Sequence, residues 1–347
     1  MRRARPIVAF PLLALLLAAA AASSGQESSL TNHALASDLV PGEPRFDLLL
    51  PPAYDPERAE PYPLLLWLHG GSSGEGNLER RLRPHLERAW DEGTIEHIVV
   101  VTPITGGSYY IDWKGGGKSW ETFILQELLP HARSHYNVAQ DRAGTVLGGG
   151  SAGGQGTLRI GLRNPETFAA AAALEPGFPP VASFADLDIT PYGPGAMRFL
   201  HERFGNPVDI EYWRARHPPT IIIDNAERLR ESGLQLLVEA GDEDANLTFL
   251  SAELVHRLLF DAAIPHEYHL VRGAAHTGRS VPRRITNMLG FFQRALRPEG
   301  PDPQAENHLA RAKQSGRYAP RVPNQLDFKT VEFGEGASGG NEGSPPP

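Results

Sequence analysis

The five residues Gly149-Gly150-Ser151-Ala152-Gly153 constrain this chain more than any other stretch. They spell G-x-S-x-G between an apolar run, Gly144-Thr145-Val146-Leu147, and a helix-compatible stretch from Gln155 to Leu162. A strand that turns sharply into a helix lifts one serine hydroxyl clear of the backbone, the arrangement of a nucleophile elbow. The flanking glycines have a steric reason. The turn strains the serine backbone, and a Cβ two residues before or after it would strike the neighbouring strand or helix. The hydroxyl also sits over the N-terminus of the following helix, whose free N–H groups favour developing negative charge.

Gly148, Gly150 and Gly153 also fit G-x-G-x-x-G, the dinucleotide fingerprint. That loop normally follows the first strand of its domain and has an acidic residue about 20 positions on. Glu175 meets the second condition. Several strand-like runs precede the loop, so the first condition fails and no cofactor is expected.

Those runs set the architecture. Strands are predicted over 45–50, 64–68, 98–102, 145–147, 169–174, 235–240 and 266–271. Helical patterns over 78–92, 119–136, 154–163, 251–263 and 281–296 alternate with them, and Pro130 should end or kink the second. Short apolar strands alternating with helices predict an α/β fold, a mostly parallel central sheet with helices on both faces. Residues 176–230 break the rhythm with prolines and glycines and are expected to cover the active-site face.

The ends read differently. Arg2, Arg3 and Arg5 precede the apolar stretch Ile7–Ala22, and Ala20-Ala21-Ala22 offers a small-residue cleavage site, so residues 1–22 read as a signal peptide. The alternative, an uncleaved anchor, is disfavoured by the shortness and alanine content of the run. Secretion or a periplasmic location follows. Residues 23–42 read as a flexible, polar lead-in, 43–298 as the catalytic domain and 299–347, rich in Pro and Gly, as a mostly disordered tail. Loss of the leader takes the formal charge from −8 to about −11, a poor balance for binding nucleic acid or anionic membranes. With no cysteine in the chain, disulfides, cysteine nucleophiles and thiolate metal sites are excluded.

A serine nucleophile needs a base, an acid to orient that base, and donors for an oxyanion. The strand at 64–68 runs into His69-Gly70-Gly71-Ser72, an H-G-G turn that supplies one main-chain donor in such folds. Gly71 is the expected donor, Ser72 a near alternative, and the amide of Ala152 the second donor. His69 precedes the serine, the wrong chain order for the base, and is expected to shape its loop. The strand at 235–240 leads into Gly241-Asp242-Glu243-Asp244, where G-x-x-D spacing favours Asp244 as the acid and leaves Asp242 as its main rival. His276, in the small-residue loop after the last strand, is the expected base, while His266 and His269 lie within that strand. His131 and His135 have i,i+4 spacing suited to zinc but lack an evident third ligand, so no metal site is expected. Tyr109, Tyr110, Trp113 and Trp120 are candidates to line the pocket.

The order Ser151, Asp244, His276 is that of α/β-hydrolases. The chain resembles the putative esterase family of that fold, which includes esterase D, feruloyl and acetylxylan esterases and mycolyltransferases. The resemblance runs through Leu50-Pro51-Pro52-Ala53-Tyr54-Asp55, Tyr62-Pro63 to Gly71, Trp120-Glu121-Thr122-Phe123 to Pro130, and most specifically Gly149 to Phe168. It departs where Ala152 stands in place of the family's common methionine, which keeps the donor N–H and opens space beside the serine. The resemblance implies two-step acyl transfer on a small-molecule or carbohydrate-linked ester, with activity rising through roughly pH 6–7 as the base loses its proton. An acyltransferase or peptidase of the same fold and a non-catalytic carbohydrate-binding relative are the competing readings. Retention of serine, acid, histidine and H-G-G turn together argues against the last.

Overall fold

The computed structural model describes residues 27–71 and 74–317. The leader, Ser72 and the tail from 318 onward lie outside the described residues. Eight strands form one sheet: β1 (Ser29–Ala34), β2 (Arg45–Leu50), β3 (Leu64–Leu68), β4 (Val99–Ile104), β5 (Thr145–Gly150), β6 (Ala170–Leu174), β7 (Gln235–Gly241) and β8 (Glu267–Val271). Their order is β1-β2-β4-β3-β5-β6-β7-β8. β2 runs antiparallel to both neighbours, and every pairing from β4 to β8 is parallel.

The central strands read as unbroken apolar runs because both faces are covered. Leu64, Leu66 and Leu68 point into one core with Phe123, Leu128, Leu158 and Leu258. Leu65 and Trp67 point into the other with Leu86, Met288 and Phe292. This is the α/β-hydrolase architecture that the sequence pattern implied.

Two expectations need correction, and a third is narrowed. Residues 29–34 of the supposed lead-in form β1, which pairs with β2 from Ser29↔Leu50 to Ala34↔Arg45. Its polar sequence hides it, because an edge strand is specified by the open hydrogen-bonding edge of its neighbour rather than by an apolar run. Pro303–Gln314 of the supposed disordered tail is a helix with no buried residue. Of the end or kink expected at Pro130, the end is not found: the helix continues to His135, distorted just before the proline by the widened π turn Ile124–Leu128. Proline lacks the N–H and crowds the carbonyl four residues back, and the wider turn absorbs both.

The segment 176–230 folds into short helices, Ala196–Phe204, Ile210–Arg214, Pro218–Asp224 and Ala226–Ser232. Leu200, Phe204 and Trp213 close on Ile111 as a third apolar cluster. Arg159, fully buried on the helix Ala152–Arg163, anchors this cover. Its Nε donates to Arg216 O at 2.8 Å and its Nη1 to Tyr109 O at 2.7 Å. His217 lies stacked on Trp213 at 4.2 Å and donates from Nε2 to Val181 O at 2.8 Å. Burial pushes its pKa down to about 3.

The helix Ala152–Arg163 meets the tips of β3 and β5 backbone to backbone. A Cβ on Gly153 would sit 1.9 Å from Leu68 O, and one on Gly149 would sit 2.6 Å from the Gly153 carbonyl. Only main chain occupies that space, so no rotamer change relieves the clash.

Two predictions follow from these contacts. Alanine at position 153 gains about 1 kcal/mol of helix propensity but meets an immovable carbonyl, so Gly153→Ala should destabilise the protein by about 3 kcal/mol or more, read as a lowered urea midpoint. The folded His217 stays neutral where the unfolded ring, titrating near 6.5, binds a proton. Stability therefore falls as pH drops below about 6.5, by up to about 1.4 kcal/mol per unit. Melting temperatures between pH 7 and pH 5 should drop less steeply in His217→Gln than in the parent protein.

Candidate active site

Ser151 stands at the tip of β5 with φ 57° and ψ −118°, a conformation that residues with a Cβ avoid. Its surroundings hold it there. The Ser151 N–H donates to Leu174 O at 2.8 Å, and its carbonyl accepts from the Gln155 N–H at 2.9 Å. The hydroxyl thus projects beyond the sheet at the start of the helix. The amide of Ala152 is one of the first-turn N–H groups without an in-helix acceptor. Gly71, at φ 72°, lines the same cavity as Ser151.

That cavity measures about 310 Å³, and His276, Glu175, Trp67 and Arg81 also line it. His276 Nδ1 lies 2.6 Å from Asp244 Oδ2. Asp244 is buried, whereas Asp242 and Glu243 are exposed on the same turn. Asp242 Oδ1 instead accepts the Gly273 N–H at 2.6 Å, so the rival acid ties down the loop that carries the histidine. Burial works against the Asp244 charge. The Thr248 hydroxyl on Oδ2, the His276 ring and the Asn246 N–H at 2.8 Å outweigh it and hold the carboxyl below the usual carboxylate range. The acid beside the imidazole is therefore an anion at neutral pH. With Nδ1–H donated to Asp244, Nε2 is left as the basic nitrogen.

The other histidines have local roles. His69 is fully buried, accepts the Thr105 N–H on Nε2 at 3.2 Å and takes the Tyr110 hydroxyl on its carbonyl at 2.7 Å. Burial lowers its pKa and keeps the ring neutral. His266 pairs with His256 at 2.8 Å, and His269 faces Glu239 at 3.2 Å. His131 and His135 stack on each other at 4.0 Å. Among the described residues, the one group of three possible metal ligands is Glu175, Asp244 and His276, with donor atoms within 4.8 Å of one another. The Nδ1 that faces both acids is engaged with Asp244 and offers a proton rather than a lone pair.

The aromatic candidates separate. Tyr110 and Trp120 are buried, and Trp113 lies under the Lys118 ammonium at 3.6 Å. Tyr109 lines a different cavity of about 340 Å³ beneath the cover, with Phe199, Trp213, Arg159 and His217. None of the four lines the cavity that holds Ser151.

Three site residues escaped the sequence reading: Thr248, Arg284 and Glu175. Arg284 is buried between two acids, donating from Nε to Glu239 Oε1 at 2.8 Å and from Nη1 to Glu175 Oε1. Glu175 leaves the tip of β6 just as Asp244 leaves the turn after β7, and that parallel was a usable signal.

A model of the family described as "Putative esterase" matches residues 37–278. An "Uncharacterized secreted protein" of Arthroderma benhamiae is 25% identical over 232 residues, 63% of this chain and 22% of that protein. An "Acetyl esterase" of Caldicellulosiruptor saccharolyticus is 32% identical over 78 residues, 22% of this chain and 29% of that enzyme. The chain thus spans less than a third of the length of these curated relatives. Among solved structures, a ferulic acid esterase superposes with TM-score 0.63 at 22% identity, covering 78% of this chain and 99% of that one. An S-formylglutathione hydrolase from Agrobacterium tumefaciens gives 0.62 at 19%, covering 78% and 96%. At these identities the structural likeness establishes the shared α/β-hydrolase fold. With more than half of its length matched by the family model, the chain belongs to the Putative esterase family.

Proposed function

We propose that the protein is an exported serine esterase that hydrolyses carboxylic esters through Ser151, His276 and Asp244. The observation that carries this reading is the convergence of three separate loops. The strained serine after β5 and the histidine after β8 line one cavity, and a buried aspartate after β7 holds that histidine at 2.6 Å. Folding alone does not require a buried carboxylate on a cavity-lining imidazole.

In the first step Ser151 Oγ attacks the ester carbonyl as its proton passes to His276 Nε2, and the imidazolium is stabilised by Asp244. The amides of Gly71 and Ala152 would hold the oxyanion, at about 3 kcal/mol each. His276 then protonates the leaving alcohol, and water, activated by the same ring, releases the acyl group from the serine. The cavity lies at the small end of the range for ligand sites, which favours compact esters. The relatives named for acetyl and ferulic esters suggest carbohydrate-borne esters of such acids as substrates.

Export rests on the leader-like residues 1–22 and on the secreted relative. No helix among the described residues is long and apolar enough to cross a membrane.

Hydrolysis of nitrophenyl esters from acetate to long acyl chains, with Ser151→Ala alongside, tests the reading. Turnover should be highest on the shortest esters and should fall in the variant by up to about a million-fold. Ester hydrolysis that survives Ser151→Ala would remove the serine from the mechanism. Acyl transfer to a sugar hydroxyl in place of water would identify the acyltransferase of the same fold.

A further inference from the structure

Two carboxylates, not one, face the imidazole of His276. Asp244 Oδ2 takes Nδ1 at 2.6 Å, and Glu175 Oε2 lies 3.6 Å from the same nitrogen. Glu175 arrives from a different strand and is built in with care. It has a left-handed backbone at φ 50°, rare for a residue of its size, and its N–H donates to Glu239 O at 2.6 Å. Its other carboxylate oxygen is held by Arg284, which also binds Glu239, and Glu239 in turn faces His269. Beyond its pairing with Arg284, Glu175 lines the cavity that contains Ser151.

We propose that Glu175 is a second positioning carboxylate for His276, stabilising the imidazolium alongside Asp244 and accepting the Nδ1–H hydrogen bond when Asp244 is removed. The proposal rests on the reading of His276 as the base. The carboxyl groups of Asp244, Glu175 and Glu239 gather at this end of the sheet, with the guanidinium of Arg284 paired to the last two. Oε2 stands 3.6 Å from Nδ1, so the contact has to shorten by less than about 1 Å for Glu175 to accept the bond once Asp244 is gone. Burial raises the Glu175 pKa, a rise that Arg284 only partly offsets.

The test is a cycle of Asp244→Asn, Glu175→Gln and the double variant, read in two ways. Loss of the single orienting acid of a triad costs about 10⁴-fold in kcat because the ring adopts the wrong tautomer. Here Asp244→Asn should stay within roughly 100-fold of the parent, and the double variant should fall by the full 10⁴ or so. Glu175→Gln alone should lower kcat by about 10-fold and move the acid limb of kcat/KM to lower pH. Glu175→Asp keeps the charge and suits a left-handed backbone, so its acid limb should stay with the parent protein. Ring ¹⁵N shifts of His276 need no substrate and supply the second readout. The Nδ1–H tautomer should persist in Asp244→Asn and disappear in the double variant. A tautomer lost with Asp244→Asn alone, or retained in the double variant, would overturn the proposal. Ester hydrolysis absent from the parent protein would instead sink the esterase reading, while the ¹⁵N result would still decide the role of Glu175.

Discussion

The site depends first on a place where side chains are missing. The helix Ala152–Arg163 crosses the tips of β3 and β5 so closely that its Gly153 touches Leu68 O and the Gly149 backbone. That approach sets the height of Ser151 above the sheet, aims the first-turn amides at it, and brings the loop after β3 within reach of the same cavity. The alanines of β6 continue the theme, since Gly161 of the helix lies against Ala171. A larger residue at any of these contacts would move the helix away from the strand tips, and the serine with it.

Charge is concentrated at the same edge of the sheet. Three acids leave or flank the ends of β6 and β7, and one buried arginine, sent back from the helix Val281–Leu296, answers two of them. A buried ion pair of this kind adds little net stability, because desolvation offsets its Coulomb gain. What it does supply is fixed geometry: Glu239 and Arg284 leave Glu175 little freedom, and Thr248 and Asn246 do the same for Asp244. The imidazole is therefore met at Nδ1 by the carboxylate of Asp244, itself held in place, with that of Glu175 close by.

The cover is joined to this machinery through Arg159, two turns along the helix that begins at Ser151. Its guanidinium, held down to a pKa of about 10 by burial, remains a cation and binds main-chain carbonyls of the cover and of the loop after β4. The cover is thereby tied to the helix that begins at Ser151. The apolar space beneath it belongs to the cover rather than to the serine, which explains why the aromatic residues of the loop after β4 do not line the catalytic cavity.

Seven of the eight strands, the sharp turn at Ser151 and the loop that carries His276 were legible in the sequence. Each is a local signal: an apolar run buried on two faces, glycines demanded by a tight turn, small residues around a loop histidine. β1 was not legible, since its residues are polar and only the open edge of β2 makes them a strand. Spacing left Asp242 and Asp244 as alternatives, and only the fold shows that Asp242 faces solvent while Asp244 faces the imidazole. Glu175 was visible only as an acid at a fixed distance from a glycine loop. Its place beside His276 depends on the pairing of β6 with β7 and on an arginine 109 residues away. Sequence determines what each segment prefers by itself, whereas groups far apart in the chain acquire a joint role only when the parallel sheet brings the ends of its strands to one edge.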